Sequence, residues 1–328
     1  MGSFDFQCGT RIVAGPGVAD RVGELAHDLA ASRAVLVADP DALAGGRAIS
    51  LATSLDEHGI AIVATVEVGA DDERETAVGS SADLILALGG TAAFRRAATV
   101  ARHLPIIGLP TTASSGEGAC RCAAIALDPE LSLDVPDAAA RAAAIIAVAR
   151  TVEAWVTSTR SPMSDLFARE AWRQLAAAYL RVAGGPADAE AIAKLLLGAF
   201  LSDVAASRSG LGALEACARP VTARTTVGHG SVLAILLPEV VRWNTRVVAD
   251  RYAELSAAGG EARRPEALVA RLEDFVTAGG FPECLAQAGI AERELPSLAE
   301  RAAAEPSASA NPRKFDVAGA LELYAAAY

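Results

Sequence analysis

Residues 83–112 read DLILALGGTAAFRRAATVARHLPIIGLPTT. The stretch opens with a strand-like segment, Asp83–Leu88, apolar from Leu84 onward, and turns through Gly89-Gly90-Thr91. It continues as Ala92–His103, where apolar side chains recur at helical spacing. A second apolar run, Pro105–Leu109, follows at once and ends in Pro110-Thr111-Thr112. Strands with no polar alternation are strands buried on both faces, and strand–helix–strand is the unit that builds such a sheet in parallel. Working outward, Thr10–Ala14, Ala34–Ala38, Ile60–Val68 and Ala123–Leu127 read as further strands, and Val18–Ala31 and Arg47–His58 as helices. Residues 1–135 are therefore expected to form an α/β domain, doubly wound, mainly parallel and Rossmann-like. Ligands of such sheets lie at the carboxyl ends of the strands.

From Asp137 onward the strand pattern stops. Asp137–Thr157, Ser164–Ala183, Ala187–Ser207, Ser231–Ala257, Pro265–Ala278, Pro296–Ala304 and Val317–Ala327 all carry helical spacing. Pro136 and Asp137 read as a helix entry with Asp137 as the N-cap. Gly184-Gly185-Pro186 and Gly259-Gly260 read as breaks between helices. The second domain, residues 136–328, is expected to be all-α.

The chain has 328 residues, of which 52% are apolar and 21% charged, which supports a sizeable core and excludes disorder. Its net charge of −11, with no basic run, argues against nucleic acid as a partner. Lysine occurs only at Lys194 and Lys314, so nearly all the basic residues are arginine. Five scattered cysteines fit a reducing compartment better than a disulfide framework. Cys120-x-Cys122 has the wrong spacing for a zinc knuckle or a redox pair and reads as two small residues in a strand. No targeting pattern and no apolar run of membrane-spanning length is present, so a cytoplasmic protein with no membrane partner is expected.

Several segments, in order, resemble one superfamily. Thr10-Arg11-Ile12-Val13-Ala14-Gly15-Pro16-Gly17 resembles its opening strand and turn, Leu86–Thr91 its glycine-rich phosphate loop, and Pro110-Thr111-Thr112 its proline-threonine-threonine motif. Asp128-Pro129-Glu130-Leu131 with Val135-Pro136 resembles the entry to its helical domain. Glu153-Ala154-Trp155-Val156 and Pro162-Met163-Ser164-Asp165 continue the pattern. His229-Gly230, with Leu236-Leu237-Pro238 and Asn244 behind it, is the sharpest match, and Asn311-Pro312-Arg313 closes the series. Together they resemble the iron-containing alcohol dehydrogenase superfamily, which shares the dehydroquinate synthase-like fold, with maleylacetate reductases among the nearer branches.

The resemblance implies a nicotinamide dinucleotide, NAD or NADP, held by Asp39, Gly89, Gly90, Thr91, Thr111 and Thr112. Asp39 either binds the ribose, which favours NAD, or starts the turn with Pro40. The resemblance also implies a divalent metal, but here this chain departs from the family. Aspartate and histidine ligand positions fall on Ile146 and Arg150, another histidine position on Glu215, and the histidine associated with catalysis on Arg219. Only His229 remains. Isoleucine donates nothing and arginine stays cationic, so no metal is expected.

Arg150, Glu215, Arg219 and His229 are thus the expected catalytic residues. Arg150 and Glu215 are expected to form a buried ion pair in the metal's place. Arg219 is expected either to clamp a substrate carboxylate, with Arg150 or Arg224 as a second contact, or to pair with Glu215. Metal-lacking members of the superfamily are associated with oxidative decarboxylation of a C-terminal threonine in daptide-type peptide (RiPP) pathways. A metal-independent oxidoreductase acting on a small molecule or peptide bearing a carboxylate is therefore the expected activity, with a homodimer as its assembly. A non-redox lyase or cyclase on the same fold, or an inactive partner subunit, stays open at this point.

Overall fold

The structure is a computed structural model and describes residues 7–44, 46–69, 82–114, 116–185 and 188–328. Six parallel strands form one sheet: β1 (Arg11–Ala14), β2 (Arg33–Ala38), β3 (Ala61–Glu67), β4 (Leu84–Gly89), β5 (Ile106–Pro110) and β6 (Ala124–Leu127). Their spatial order is β1-β6-β5-β4-β2-β3. Every residue of β4, β5 and β6 is buried, which is why their sequences carry no alternation. The edge strands β1 and β3 are partly exposed. Helices α1 (Val22–Asp28), α2 (Pro40–Ala44), α3 (Arg47–Glu57) and α4 (Thr91–Ala101) connect the strands.

The chain runs from β2 outward to β3, then returns to lay β4 on the other side of β2 before proceeding to β5 and β6. The order reverses between β2 and β4. Their carboxyl ends therefore flank the topological switch point, where open parallel sheets take their ligands.

Helices dominate the rest of the chain: α5 (Asp137–Val156), α6 (Pro162–Ala183), α7 (Ala189–Ser209), α8 (Ala213–Thr222), α9 (His229–Ala258), α10 (Pro265–Gly279), α11 (Leu295–Ala303) and α12 (Val317–Ala326). The chain divides into two compact units. One holds Gln7–Ala140 and Ala187–Phe200; the other holds Arg141–Pro186 and Leu201–Tyr328.

The helical unit is held by the motifs that made its sequence recognisable. Ser161 and Ser164 form a reciprocal capping box at the start of α6, with Pro162 in the first turn. Asp165, next in the same turn, grips Arg251 of α9 with both oxygens, at 2.7 and 3.1 Å. The Arg251 guanidinium lies 3.8 Å from the ring centre of Trp155, whose indole N–H donates to the Arg251 carbonyl.

The fold differs from the sequence reading in four places. Asp137 is the first helical residue of α5, and the Pro136 carbonyl accepts from the Ala139 and Ala140 N–H groups. Val18–Ala31 is broken into a 3-10 turn, Val18–Arg21, and α1. Cys120 lies in a 3-10 helix, Gly116–Arg121, and Cys122 just beyond it, so neither is in a strand. Helix α8 was not marked by periodicity at all: it is only ten residues long, follows Gly210 and Gly212, and contains Pro220.

At Gly89 the chain leaves β4 with φ +144, and an added Cβ would stand 2.3 Å from a carboxylate oxygen of Asp39. Gly59, at φ +73, has open space around it. Gly89→Ala is expected to cost about 1–3 kcal/mol in backbone strain, plus the displacement of Asp39, and so more than Gly59→Ala. Chemical denaturation of the two variants side by side checks this.

Candidate functional site

In the α/β unit the six expected cofactor residues gather at the carboxyl ends of β2, β4 and β5. The Gly90 N–H donates to Asp39 Oδ2 at 2.6 Å. The Thr111 N–H donates to the Gly89 carbonyl at 3.0 Å, in register with the Gly89–Pro110 pairing of β4 and β5. The Thr91 hydroxyl donates to the Ser114 carbonyl at 2.9 Å and also meets the Ser114 hydroxyl at 2.8 Å. Thr112 Oγ1 closes on Gly90, where an added Cβ would stand 2.9 Å away. The bare backbone of Gly90 thus lies between Asp39 and Thr112, at the start of α4, whose first-turn N–H groups have no intrahelical acceptor.

Asp39 starts the turn at Pro40 and also holds the glycine turn. Its backbone carbonyl receives the Ala42 and Leu43 N–H groups and so starts α2, while its side chain holds the glycine turn. Burial pushes its carboxyl upward, and the Gly90 N–H opposes that shift. Ser114 had no signal in the sequence beyond its place after the threonine pair.

In the helical unit the decisive element is α8. The first N–H groups of a helix lack intrahelical partners, and here all four are met from elsewhere in the chain. Glu153 of α5, 5% exposed, accepts from Gly212 at 3.0 Å and Leu214 at 2.8 Å on one oxygen, and from Glu215 at 3.2 Å on the other. The fourth, Ala213 N–H, donates to Asn311 Oδ1 at 3.2 Å. Asn311 is itself locked to Asn244 by two reciprocal amide bonds of 2.9 and 3.1 Å. An added Cβ at Gly212 would stand 2.8 Å from Asn311 Oδ1 and 3.2 Å from Glu153 Oε1, so the approach requires glycine.

Helix α8 then presents Glu215, Arg219 and Thr222 on successive turns. Glu215 Oε1 accepts from Arg219 Nε at 2.9 Å, and its Oε2 lies 3.3 Å from His229 Nε2. His229 Nδ1 meets the Thr222 hydroxyl at 3.0 Å, and that hydroxyl donates to the Ala218 carbonyl at 2.8 Å. The result is a chain of contacts Thr222–His229–Glu215–Arg219, with Glu305 3.7 Å beyond Arg219 Nη1.

The ion pair expected between Arg150 and Glu215 is not formed. Arg150 Nη1 donates instead to Asp203 Oδ1 at 2.5 Å, and Asp203 is 4% exposed. The reason is helical geometry: Asp203 faces Arg150 from the neighbouring α7, where Ser202 also donates to the Ala147 carbonyl of α5 at 3.0 Å. Arg224 lies on the surface and pairs with Glu294 at 2.6 Å. Asp203 and Thr222 were missed because nothing local distinguishes them; their roles come from helix packing.

Two glutamates are driven apart by these surroundings. Burial acts to raise the Glu215 carboxyl, but the hydrogen bonds and charges of His229 and Arg219 outweigh it and hold it down at about 2. Burial pushes Glu153 up to about 8, and the Glu215 charge adds to this, while the three backbone N–H groups pull the other way.

These residues do not fit a divalent cation. Ile146 has no donor, the Arg150 cation would oppose the ion, and the Glu215 carboxylate is engaged by Arg219 and His229. Among the described residues no group of three histidines, cysteines or carboxylates converges to hold a metal.

Comparison with known proteins places this geometry. The sequence model of the Fe-containing alcohol dehydrogenase family, C-terminal, matches residues 142–328. Long-chain-alcohol dehydrogenase 1 of Geobacillus thermodenitrificans is 25% identical, the match covering 88% of this chain and 87% of that protein. Maleylacetate reductase of Burkholderia cepacia is 23% identical over 96% of each chain. The crystal structure of sulfoacetaldehyde reductase from Bifidobacterium kashiwanohense in complex with NAD+ superposes with a TM-score of 0.88 at 18% identity, over 100% of this chain and 99% of that one.

The two glutamates give stability opposite dependences on pH. Glu215 lies at about 2 against an ordinary 4.5, so its ionised form adds stability above about pH 4.5 that is lost as pH falls toward 2. Glu153 is raised, so its contribution is full below about pH 4.5 and lost as pH rises through 8. Thermal melts across pH are expected to show a flatter acid limb in Glu215→Gln, and a smaller loss between about pH 4.5 and 8 in Glu153→Gln, each relative to the parent.

Proposed function

The chain belongs to the iron-containing alcohol dehydrogenase family, and on that premise we propose that it is a nicotinamide-dependent oxidoreductase that works without a divalent metal, on a hydroxyl or keto group next to a carboxylate. One observation carries this reading. At the positions where the family resemblance puts metal ligands, Ile146 has no donor, Arg150 is taken by Asp203, and Glu215 is taken by Arg219 and His229.

Residues 1–135 form the dinucleotide-binding domain in this reading, and residues 136–328 the substrate domain. Thr112, the Gly90 backbone and the N-terminus of α4 are the groups suited to hold a diphosphate. Asp39 Oδ2 is occupied by Gly90, so its other oxygen is the one left for a ribose hydroxyl, and its charge disfavours a 2′-phosphate. Bound NAD supplies the hydride acceptor.

The remaining work falls to the chain's own side chains. Arg219, held by Glu215 and Glu305 but more than half exposed, offers a planar cation to a substrate carboxylate and orients the adjacent hydroxyl. The His229 Nε2–H, shared with ionised Glu215, donates to the substrate oxygen, and the hydroxyl proton leaves to water. A β-hydroxy acid is the substrate class that best suits a site without a Lewis acid. Once its hydroxyl is oxidised, the bond to the carboxylate breaks with loss of carbon dioxide, the electron pair enters the neighbouring carbonyl as an enol, and a proton returns to carbon. A peptide ending in threonine belongs to this class.

The test is an assay of reduced nicotinamide and carbon dioxide over α-hydroxy acids, β-hydroxy acids, threonine-ending peptides and simple alcohols, with and without chelator. Chelator-resistant turnover of β-hydroxy acids with NAD preferred over NADP is expected; chelator-sensitive turnover of simple alcohols would overturn the reading. Arg219→Lys keeps the charge but loses the fork, and is expected to lower kcat/KM roughly 10–150-fold, the loss of about 1.5–3 kcal/mol from a charge-assisted contact.

A further inference from the structure

Glu153 lies one helix away from the groups assigned to chemistry and touches none of their side chains by a hydrogen bond. Yet it accounts for three of the four N–H groups that open α8, including that of Glu215 itself. A buried carboxylate is costly unless its lone pairs are used, and here they are used on a helix terminus, whose partial positive charge favours an anion or its acceptor oxygens. The clamp has little slack: Gly212 admits no side chain, and Asn311, which takes the fourth N–H, is fixed by Asn244. Glu215 is the third residue of α8. Its carboxylate meets His229 and Arg219 only if the first turn holds its position.

We propose that Glu153 is a positioning residue of the site: by capping α8 through the Gly212, Leu214 and Glu215 N–H groups, it sets the placement of the Glu215 carboxylate against His229. This rests on the reading of Glu215, Arg219 and His229 as the working groups, but its test needs no cofactor, substrate or turnover. A failure of the redox reading therefore leaves the result interpretable, and the reverse.

The chain has four histidines. His27, His58 and His103 lie in the α/β unit and serve as internal controls, and only His229 contacts Glu215. The experiment records the ring-nitrogen resonances of 15N-histidine-labelled protein at neutral pH, with His229→Gln providing the assignment. Glu153→Gln keeps the shape and one carbonyl acceptor, but turns an amide NH2 toward the Glu215 N–H. It is expected to shift the His229 resonances while leaving the three controls in place, and Glu153→Asp, which keeps the carboxylate but shortens its reach, is expected to do the same. Unchanged His229 resonances in folded Glu153→Gln would overturn the proposal, as would an equal disturbance of all four histidines, which marks general loosening. If Glu153→Gln does not fold, Glu153→Asp supplies the same two outcomes.

Discussion

The carboxyl group of Glu153 against the first turn of α8 is the contact on which the helical unit's site depends. A ten-residue helix containing a proline has little intrinsic stability. It persists because its N-terminus is satisfied from outside, by Glu153 and by the Asn311–Asn244 pair. Three segments far apart in sequence, around residues 153, 244 and 311, thus converge to hold one short helix. That helix in turn carries Glu215, Arg219 and Thr222 to His229.

The same region shows how charged groups are accommodated where the sequence resemblance puts metal ligands. Removing a charge from water is expensive unless a partner replaces the lost hydration. Arg150 is answered by Asp203 across α5 and α7, while Glu215 is answered by Arg219 on its own helix and by His229 on the next. Two separate local pairings arise, because each is the shortest route to neutrality for its group. The Glu215 carboxylate consequently stays ionised, although burial alone would favour its proton.

In the α/β unit the equivalent constraint is the switch between β2 and β4. Asp39 at the end of one strand holds the glycine turn at the end of the other, and Gly89 can have no side chain because that carboxylate stands in its place. The residues that leave the sheet here are therefore fixed by one another before any ligand is considered. Strand register does the rest, bringing Thr111 and Thr112 beside the glycines.

What the amino-acid sequence determined by itself was the class and order of the strands and of the long helices. Buried strands without alternation and helices with 3.6-residue spacing are properties of neighbouring residues, so they are legible in one dimension. That Ile146 and Arg150 offer no metal-donating atom was equally legible, because it concerns which atoms a side chain possesses. Only the tertiary structure decided the partners. Arg150 chose Asp203 over Glu215, Glu153 became the cap of a helix about sixty residues further on, and α8 itself formed without a periodic signal. Each of these depends on which faces of separate helices meet. The free energy of burying a polar group is set by that meeting and by nothing in the residue's own neighbourhood along the chain.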